Sequence, residues 1–494
     1  MKNPFSILSF FKSNRISFLF LFLFSISAFP QVGIGTLYPD ASSALDISSD
    51  SQGLLVPRMT TLERTEISEP ANSLLVYDTD ERSFFYYDSI PPNPKWIRIS
   101  SDLEKRNKHV LVKSEADLPA PSGGKITLLP DHLYEINGTI NIRVPIDLNN
   151  ATVAGLDAFE DILFYPGGTG GTIFEGTTGG TIKNVTLKGI RAFNITGPGK
   201  DTNTSLIVQN VVIDGLVGSS VGTISGLGLY FGNIIQYMNN TNGITYSNIG
   251  NLLLSNQGWF DTNKGTYETF TGTFGLIEKV SGFSTVKGSA IAMDFNSNPT
   301  VGTGVLLGHV FSGANVTNSI KKYTTGSYSG YNFTNAWTVD SPGIPRESDA
   351  EATGDINFPG TVTGGDGYTT SFNGNPPREK VWGDTNSNNL FRFTRDGNNR
   401  ITYKGAKKRY FHVNASISYQ LTSTDTEVML YFAKNGVTLQ DTKIYARVGN
   451  TDEIEASKIL GTIEMKQGDY IEIYAERVKG GGKMFTVSLN LAAK

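Results

Sequence analysis

The sequence predicts an all-β protein, with a solenoid of stacked coils in the middle, a sandwich at the end and a small β-rich module at the front. Three observations point there. Residues 181–189 (TIKNVTLKG) and 207–215 (IVQNVVIDG) align, so that Asn184 and Asn210, and likewise Gly189 and Gly215, stand 26 residues apart, a fixed period of the kind that stacked coils produce. From Val413 to Leu421 apolar and polar residues alternate, which is the period of a strand buried on one side and wet on the other. Finally, 54 glycines and 11% aromatic residues favour turns and strands, and no long amphipathic helix is visible.

Composition excludes several classes of function. A formal net charge of -4 lacks the basic face that wrapping nucleic acid requires, so no DNA or RNA partner is expected. With no cysteine there can be no disulfide, thiolate metal site, lipid-bearing cysteine or cysteine nucleophile. The histidines, His109, His132, His309 and His412, are scattered without ligand spacing, so neither a metal nor a cofactor is expected.

Residues 1–30 read as a signal peptide. Lys2, Lys12 and Arg15 precede the apolar run from Ile16 to Phe24, which ends in small residues at Ser25, Ser27 and Ala28. Cleavage is expected between Ser27 and Gln31. The run falls short of the ~20 apolar residues of a spanning helix and no second one follows, so the mature chain is expected to lack a transmembrane segment. An uncleaved membrane anchor is the competing reading.

Residues 31–100 form the opening module. Leu45 to Ile47, Leu54 to Val56 and Leu74 to Tyr77 are predicted as short apolar strands between Pro, Gly, Asp and Ser turns. Pieces this short bury little alone, which favours oligomerisation, with a monomeric β-rich linker as the alternative. The ordered motifs Val32-Gly-Ile-Gly-Thr36, Ala44-Leu-Asp-Ile47, Gly53-Leu-Leu-Val-Pro-Arg-Met-Thr60 and Leu74-Leu-Val-Tyr-Asp-Thr-Asp80 resemble the N-terminal module of secreted, tail-fibre-like and adhesin-like proteins of Bacteroidetes. That resemblance implies fibre-like assembly and a place outside a Gram-negative cell, secreted or on the outer surface.

A charged stretch, residues 102–108, reads as a solvated connector, and residues 105–345 as the solenoid. Residues 125–136 and 138–144 are a succession of short alternating strands that resembles the first coil of right-handed parallel β-helix proteins. Ile182, Val185, Leu187, Val208, Val211 and Ile213 are predicted to pack inward or between coils, while Asn184 and Asn210 stack at a corner. Many glycan-cleaving enzymes use this fold and set paired carboxylates ~5–10 Å apart. The candidate acidic residues are Asp261, Glu268, Glu278 and Asp294, with Trp259, Phe260, Tyr267 and Tyr230 as possible sugar platforms. No tight Asp-Asp pair or Lys-Arg cluster accompanies them, and surface carboxylates are the preferred reading.

Residues 346–400, punctuated by Gly360, Gly364, Gly365, Gly367, Gly374, Pro376 and Pro377, read as a connector pinned by Trp382 and Phe391-Arg-Phe393. Residues 401–494 read as a β-sandwich head, with Val428, Leu430 and Phe432 running into a Lys434-Asn-Gly436 turn, then Gly468-Asp469 and the strand from Tyr470, and a terminal Phe485-x-Val487 strand. That order resembles the jelly-roll heads of the C1q and tumour-necrosis-factor-like group, which implies a trimer with Tyr419, Tyr431 and Phe432 as axis residues. A monomeric sandwich using these residues as its own core is the alternative. Ile471 and Ile473 are predicted to face the core and Glu472 the solvent.

Together these features describe a homotrimeric structural or adhesive fibre, binding a glycan, an envelope component or another fibre subunit, with no catalytic residues. A polysaccharide lyase or glycoside hydrolase acting on the solenoid face is the alternative. A phage-derived receptor-binding fibre is the third reading, which the signal peptide opposes.

Overall fold

The computed structural model describes residues 31–90, 92–99, 108–167, 171–362 and 365–494, so the signal-peptide reading and nearly all of the charged stretch at 102–108 lie outside the described residues. The chain divides into two compact units, Met1–Asn107 and Lys108–Lys494.

The larger unit begins with a parallel β-solenoid of about 9 turns. One column of its core is passed from coil to coil in register: Val110, Tyr134, Val153, Ile182, Val208, Gly232, Leu254, Lys279, Leu306 and Val339. All but Lys279 and Gly232 are apolar side chains, so the coils are held by a shared hydrophobic interior that no single coil could bury alone.

The corner asparagines behave as the sequence suggested. Asn184 and Asn210 both sit at positive φ, 53° and 52°, where asparagine is among the few residues tolerated. Asn210 Nδ2 donates to Asn184 Oδ1 at 3.0 Å. The same corner continues through Ile234, Asn256 and Ser281, all with φ near these values. Ile234 is the anomaly: a β-branched side chain at φ 54° meets its own carbonyl, at a cost of ~1–3 kcal/mol. Because Ile234 is partly exposed, little burial offsets that cost. Ile234→Asn is therefore expected to raise stability by about 1 kcal/mol, read as a higher thermal midpoint, and to extend the ladder from Asn210. A fall in midpoint would contradict this account of the corner.

A second corner buries its asparagines. Asn263 Oδ1 accepts from the Asn240 backbone at 2.8 Å, and Asn263 Nδ2 donates to the carbonyls of Tyr237 and Phe260. These amides add a second donor to turn carbonyls that also accept the Phe260 and Asn263 backbone N–H groups.

The sandwich follows without a connector, which corrects the reading of residues 346–400. Gly354–Pro359 and Tyr368–Thr370 pair with the terminal strand Met484–Ala493; Arg378–Lys380 pairs with Tyr470–Lys479; Phe393–Arg395 pairs with Ile401–Tyr403. The Gly and Pro residues punctuate strands of three to six residues, too short for a period to register. Phe391 and Phe393 are buried anchors as expected, but Trp382 is 54% exposed and pins nothing.

One sheet runs Gly354–Pro359, Met484–Ala493, Arg409–Leu421, Glu455–Met465; the other is centred on Tyr470–Lys479 and Glu427–Lys434. Val413, Ala415, Ile417, Tyr419 and Leu421 are buried, and Asn414 and Ser416 exposed, matching the alternation. Asn435 and Gly436 both have positive φ, 52° and 77°, the geometry of a tight hairpin turn. Asn435 Nδ2 donates to Asp469 Oδ1 at 2.8 Å and Lys434 Nζ lies 3.0 Å from Asp469 Oδ2, so the Lys-Asn-Gly and Gly-Asp motifs are two halves of one clasp.

Solenoid and sandwich are joined by a buried ion pair. The Arg392 guanidinium donates to Asp349 Oδ1 and to the carbonyls of Asn335 and Trp337 in the last coil. Asp349 Oδ2 accepts from the Lys407 backbone at 2.7 Å. Close by, Glu347 accepts from the backbones of Asn332 and Phe333 at 2.7 and 2.9 Å. Burial nevertheless pushes its carboxyl up to about 7.

Candidate functional site

The acidic and aromatic residues picked out in the solenoid do not converge on a groove. Trp259, Tyr267 and Tyr230 are fully buried in the lumen, where Trp259 and Tyr267 stack at 4.5 Å, so they cannot serve as sugar platforms. Phe260 lies outside, edge-on to Phe283 at 5.1 Å.

The carboxylates are divided in the same way. Asp261 is ion-paired with Lys287 at the surface, and Asp294 with Lys321 at 2.9 Å. Glu278 is half-buried on a strand between Leu253 and Val305. Glu268 is enclosed in the lumen with Lys279, its Oε1 2.9 Å from Nζ. The interior also holds a serine and histidine in the relation a nucleophile would need. Ser284 Oγ lies 2.8 Å from His309 Nε2, and His309 Nδ1 lies 2.8 Å from the Ser281 carbonyl. A carbonyl only accepts, so Nδ1 carries the proton and Nε2 accepts from the serine. Both residues are sealed from solvent, and burial, aided by the Lys279 charge, pulls the imidazole down to about 2. No substrate reaches that pair. Its work is to satisfy the Ser281 corner.

The opening module has a different character. Its order comes from one buried ion pair that the sequence motifs assemble. Arg64, on the short helix Thr61–Glu66, donates from Nε to Asp78 Oδ2 at 2.8 Å. Thr60 caps that helix, with its hydroxyl receiving the Glu63 backbone and its own backbone held by the Glu63 carboxylate at 2.8 Å. Asp78 also accepts from the Thr61 hydroxyl and from the backbones of Asp80 and Glu81. Burial opposes ionisation of Asp78, but these donors outweigh it and hold the carboxyl down at about 2. The guanidinium lies 4.0 Å over the Phe85 ring, which fixes it against the sheet Arg58–Met59, Leu75–Asp78, Ser83–Asp88, Lys95–Arg98.

Outside this pair the module is unusually apolar at its surface. Leu37 is 91% exposed, Leu55 78% and Leu54 62%, and Tyr38, Val32, Ile34 and Leu62 are exposed as well. Leu54 to Val56 was predicted as a strand, but the segment joins no ladder; Pro57 follows it and offers no N–H to pair. Among the described residues, none covers these side chains. The signal was present in the sequence, in apolar motifs too numerous for a module with almost no interior.

Residues 33–113 match the family model of the phage tail like trimerisation region. No curated protein matches the chain. Among solved structures it is similar to Eiger TNF from S. frugiperda, at 13% identity and a TM-score of 0.20, covering 29% of this chain and 93% of that one. It is also similar to the enzymatically active domain of bacteriophage CBA120 tailspike protein 4, at 12% identity and a TM-score of 0.17, covering 88% of this chain and 77% of that one.

Proposed function

We propose that the protein is the subunit of a homotrimeric fibre, secreted or held on the outer surface of a Gram-negative cell, that binds a glycan, an envelope component or another fibre subunit without catalysis. The observation that carries this reading is the opening module: the residues that match a trimerisation region are those that present Leu37, Leu54 and Leu55 to solvent. Three-fold closure would cover them, and a module this small gains from it a core it cannot build alone.

The non-catalytic part rests on the solenoid, where Asp261 and Asp294 are neutralised by lysines and Glu268 is out of reach. The head takes a modified role in this reading. Tyr419 and Phe432 are fully buried in the core of one chain and Tyr431 is buried beneath Arg378 of the same chain, so none of the three is free to line a trimer axis. If the head joins the assembly, as C1q-like and tumour-necrosis-factor-like heads do, it does so through exposed residues such as Tyr410, Tyr445 and Leu460.

Light scattering on the mature protein at micromolar concentration is expected to give the mass of three chains, and the monomer mass would overturn the proposal. Leu54→Lys with Leu55→Lys is expected to shift the protein to monomer, losing on the order of 2 kcal/mol of burial per leucine, while the far-ultraviolet spectrum stays unchanged. A glycan array scored for both retention and product release tests the second half: binding without product is expected, and released product would favour a glycan-active enzyme.

A further inference from the structure

Lys279 occupies a position in the inward column where its neighbours above and below are Leu254 and Leu306. Glu268, on the adjoining face of the same coil, lies between Ile244 and Met293. Their side chains are 1% and 0% exposed, and Nζ stands 2.9 Å from Glu268 Oε1. Glu268 Oε2 is buried with no hydrogen-bond partner. The Tyr267 ring, 5.0 Å from Nζ, walls the pair, and its hydroxyl donates to Gln257 Oε1 at 2.8 Å.

We propose that Lys279 and Glu268 condense in the folded protein to an intramolecular isopeptide bond, a self-made covalent staple across the solenoid lumen. An ion pair in this setting loses the hydration of both charges and leaves one carboxylate oxygen unsatisfied, which the attraction between them repays poorly. Burial pushes the carboxyl up and the ammonium down, each against the pull of its partner. Condensation requires the proton to move from Nζ to the carboxylate, giving a neutral amine beside a neutral carboxylic acid, and burial of both groups favours that transfer.

That is a nucleophile and an electrophile already in contact. The Nζ lone pair attacks the Glu268 carboxyl carbon and the C–N bond forms. One N–H proton passes to the hydroxyl oxygen, the C–O bond breaks, and one water leaves. Nothing is oxidised, and fixing the two groups together is equivalent to a local concentration of ~10⁵–10⁸ M. The amide carries no charge and removes the orphaned carboxylate oxygen. It links strands Thr266–Thr271 and Thr273–Thr285, which are joined in sequence by the turn at Gly272 and touch through Phe270 and Phe274 and through Tyr267 and Lys279.

Digestion of the denatured wild-type protein with trypsin decides the matter. The chain has lysines at 264, 279 and 287, so an unmodified protein yields Gly265–Lys279 and Val280–Lys287 as separate peptides at their full masses. The staple blocks cleavage at Lys279 and gives a single Gly265–Lys287 peptide one water lighter than its sequence. Recovery of the two separate peptides at full mass would overturn the proposal and leave an ion pair. Lys279→Arg, which cannot form this amide, is expected to restore cleavage at residue 279 with no loss of water.

Discussion

Glu472→Lys is expected to be one of the most damaging single substitutions in the head, although the period of its strand marks it as a harmless surface change. Glu472 is buried between Ile471 and Ile473, and its Oε1 accepts from Lys380 Nζ at 2.6 Å and from Arg400 at 2.7 Å. The Arg400 guanidinium also lies 4.1 Å over the Tyr470 ring. Burial holds the Lys380 ammonium below its usual range, as expected of a cation drawn under the surface by its partner. A lysine at 472 removes the one carboxylate both cations share and adds a third positive charge, at a cost of about 3–5 kcal/mol. Ile473→Asp places a carboxylate in the hydrophobic core on the other face and should cost a similar amount. Asn414→Lys, on an exposed position of Arg409–Leu421, should change stability by less than about 0.5 kcal/mol. Thermal unfolding of the three variants checks the set. A silent Glu472→Lys would mean that the outer face of Tyr470–Lys479 is open to water.

The contrast between Glu472 and Asn414 shows where the sequence was legible. The strand Arg409–Leu421 has one wet face, so its alternation reads directly. The strand Tyr470–Lys479 sits between Glu427–Lys434 on one edge and Ile401–Tyr403 with Arg378–Lys380 on the other, and Lys380 and Arg400 fold over its outer face. A polar residue covered by partners from 72 and 92 positions away has the same local pattern as one facing water.

In the solenoid the corners set the limit. Asn184 and Asn210 could be paired from spacing because both corners keep the same residue, but Ile234 and Ser281 fill the equivalent positions and hide the repeat. Each corner also resets which residues face inward, so Trp259 and Tyr267 gave no sign that both point into the lumen. Lys279 did give one: it shares strand parity with Ile277, which places a lysine on an apolar face. In the opening module Leu45–Ile47 and Leu75–Asp78 form strands near where they were expected, Leu54 to Val56 does not, and the Arg64–Asp78 pair carries no local signal because its partners lie 14 residues apart.

That ion pair makes the second large prediction. Asp78→Asn keeps the shape of the side chain but leaves the Arg64 guanidinium buried without its counter-charge, at a cost of about 3–5 kcal/mol. A unit with so little interior is expected to unfold outright, and the trimer proposed to depend on it should fall to monomers while the larger unit keeps its β structure. The same pair fixes the acid response. The Asp78 carboxyl lies at about 2 in the folded module against an ordinary 3.8, so its contribution is fully present above 3.8 and is lost as pH falls through about 2. Acid titration of the wild-type protein followed by light scattering should show dissociation at the low end of that window. Asp78→Asn should show no such step, because it is dissociated throughout. If the variant remained trimeric at neutral pH, the module would owe its order to the three-fold contact alone, and the buried pair would be dispensable.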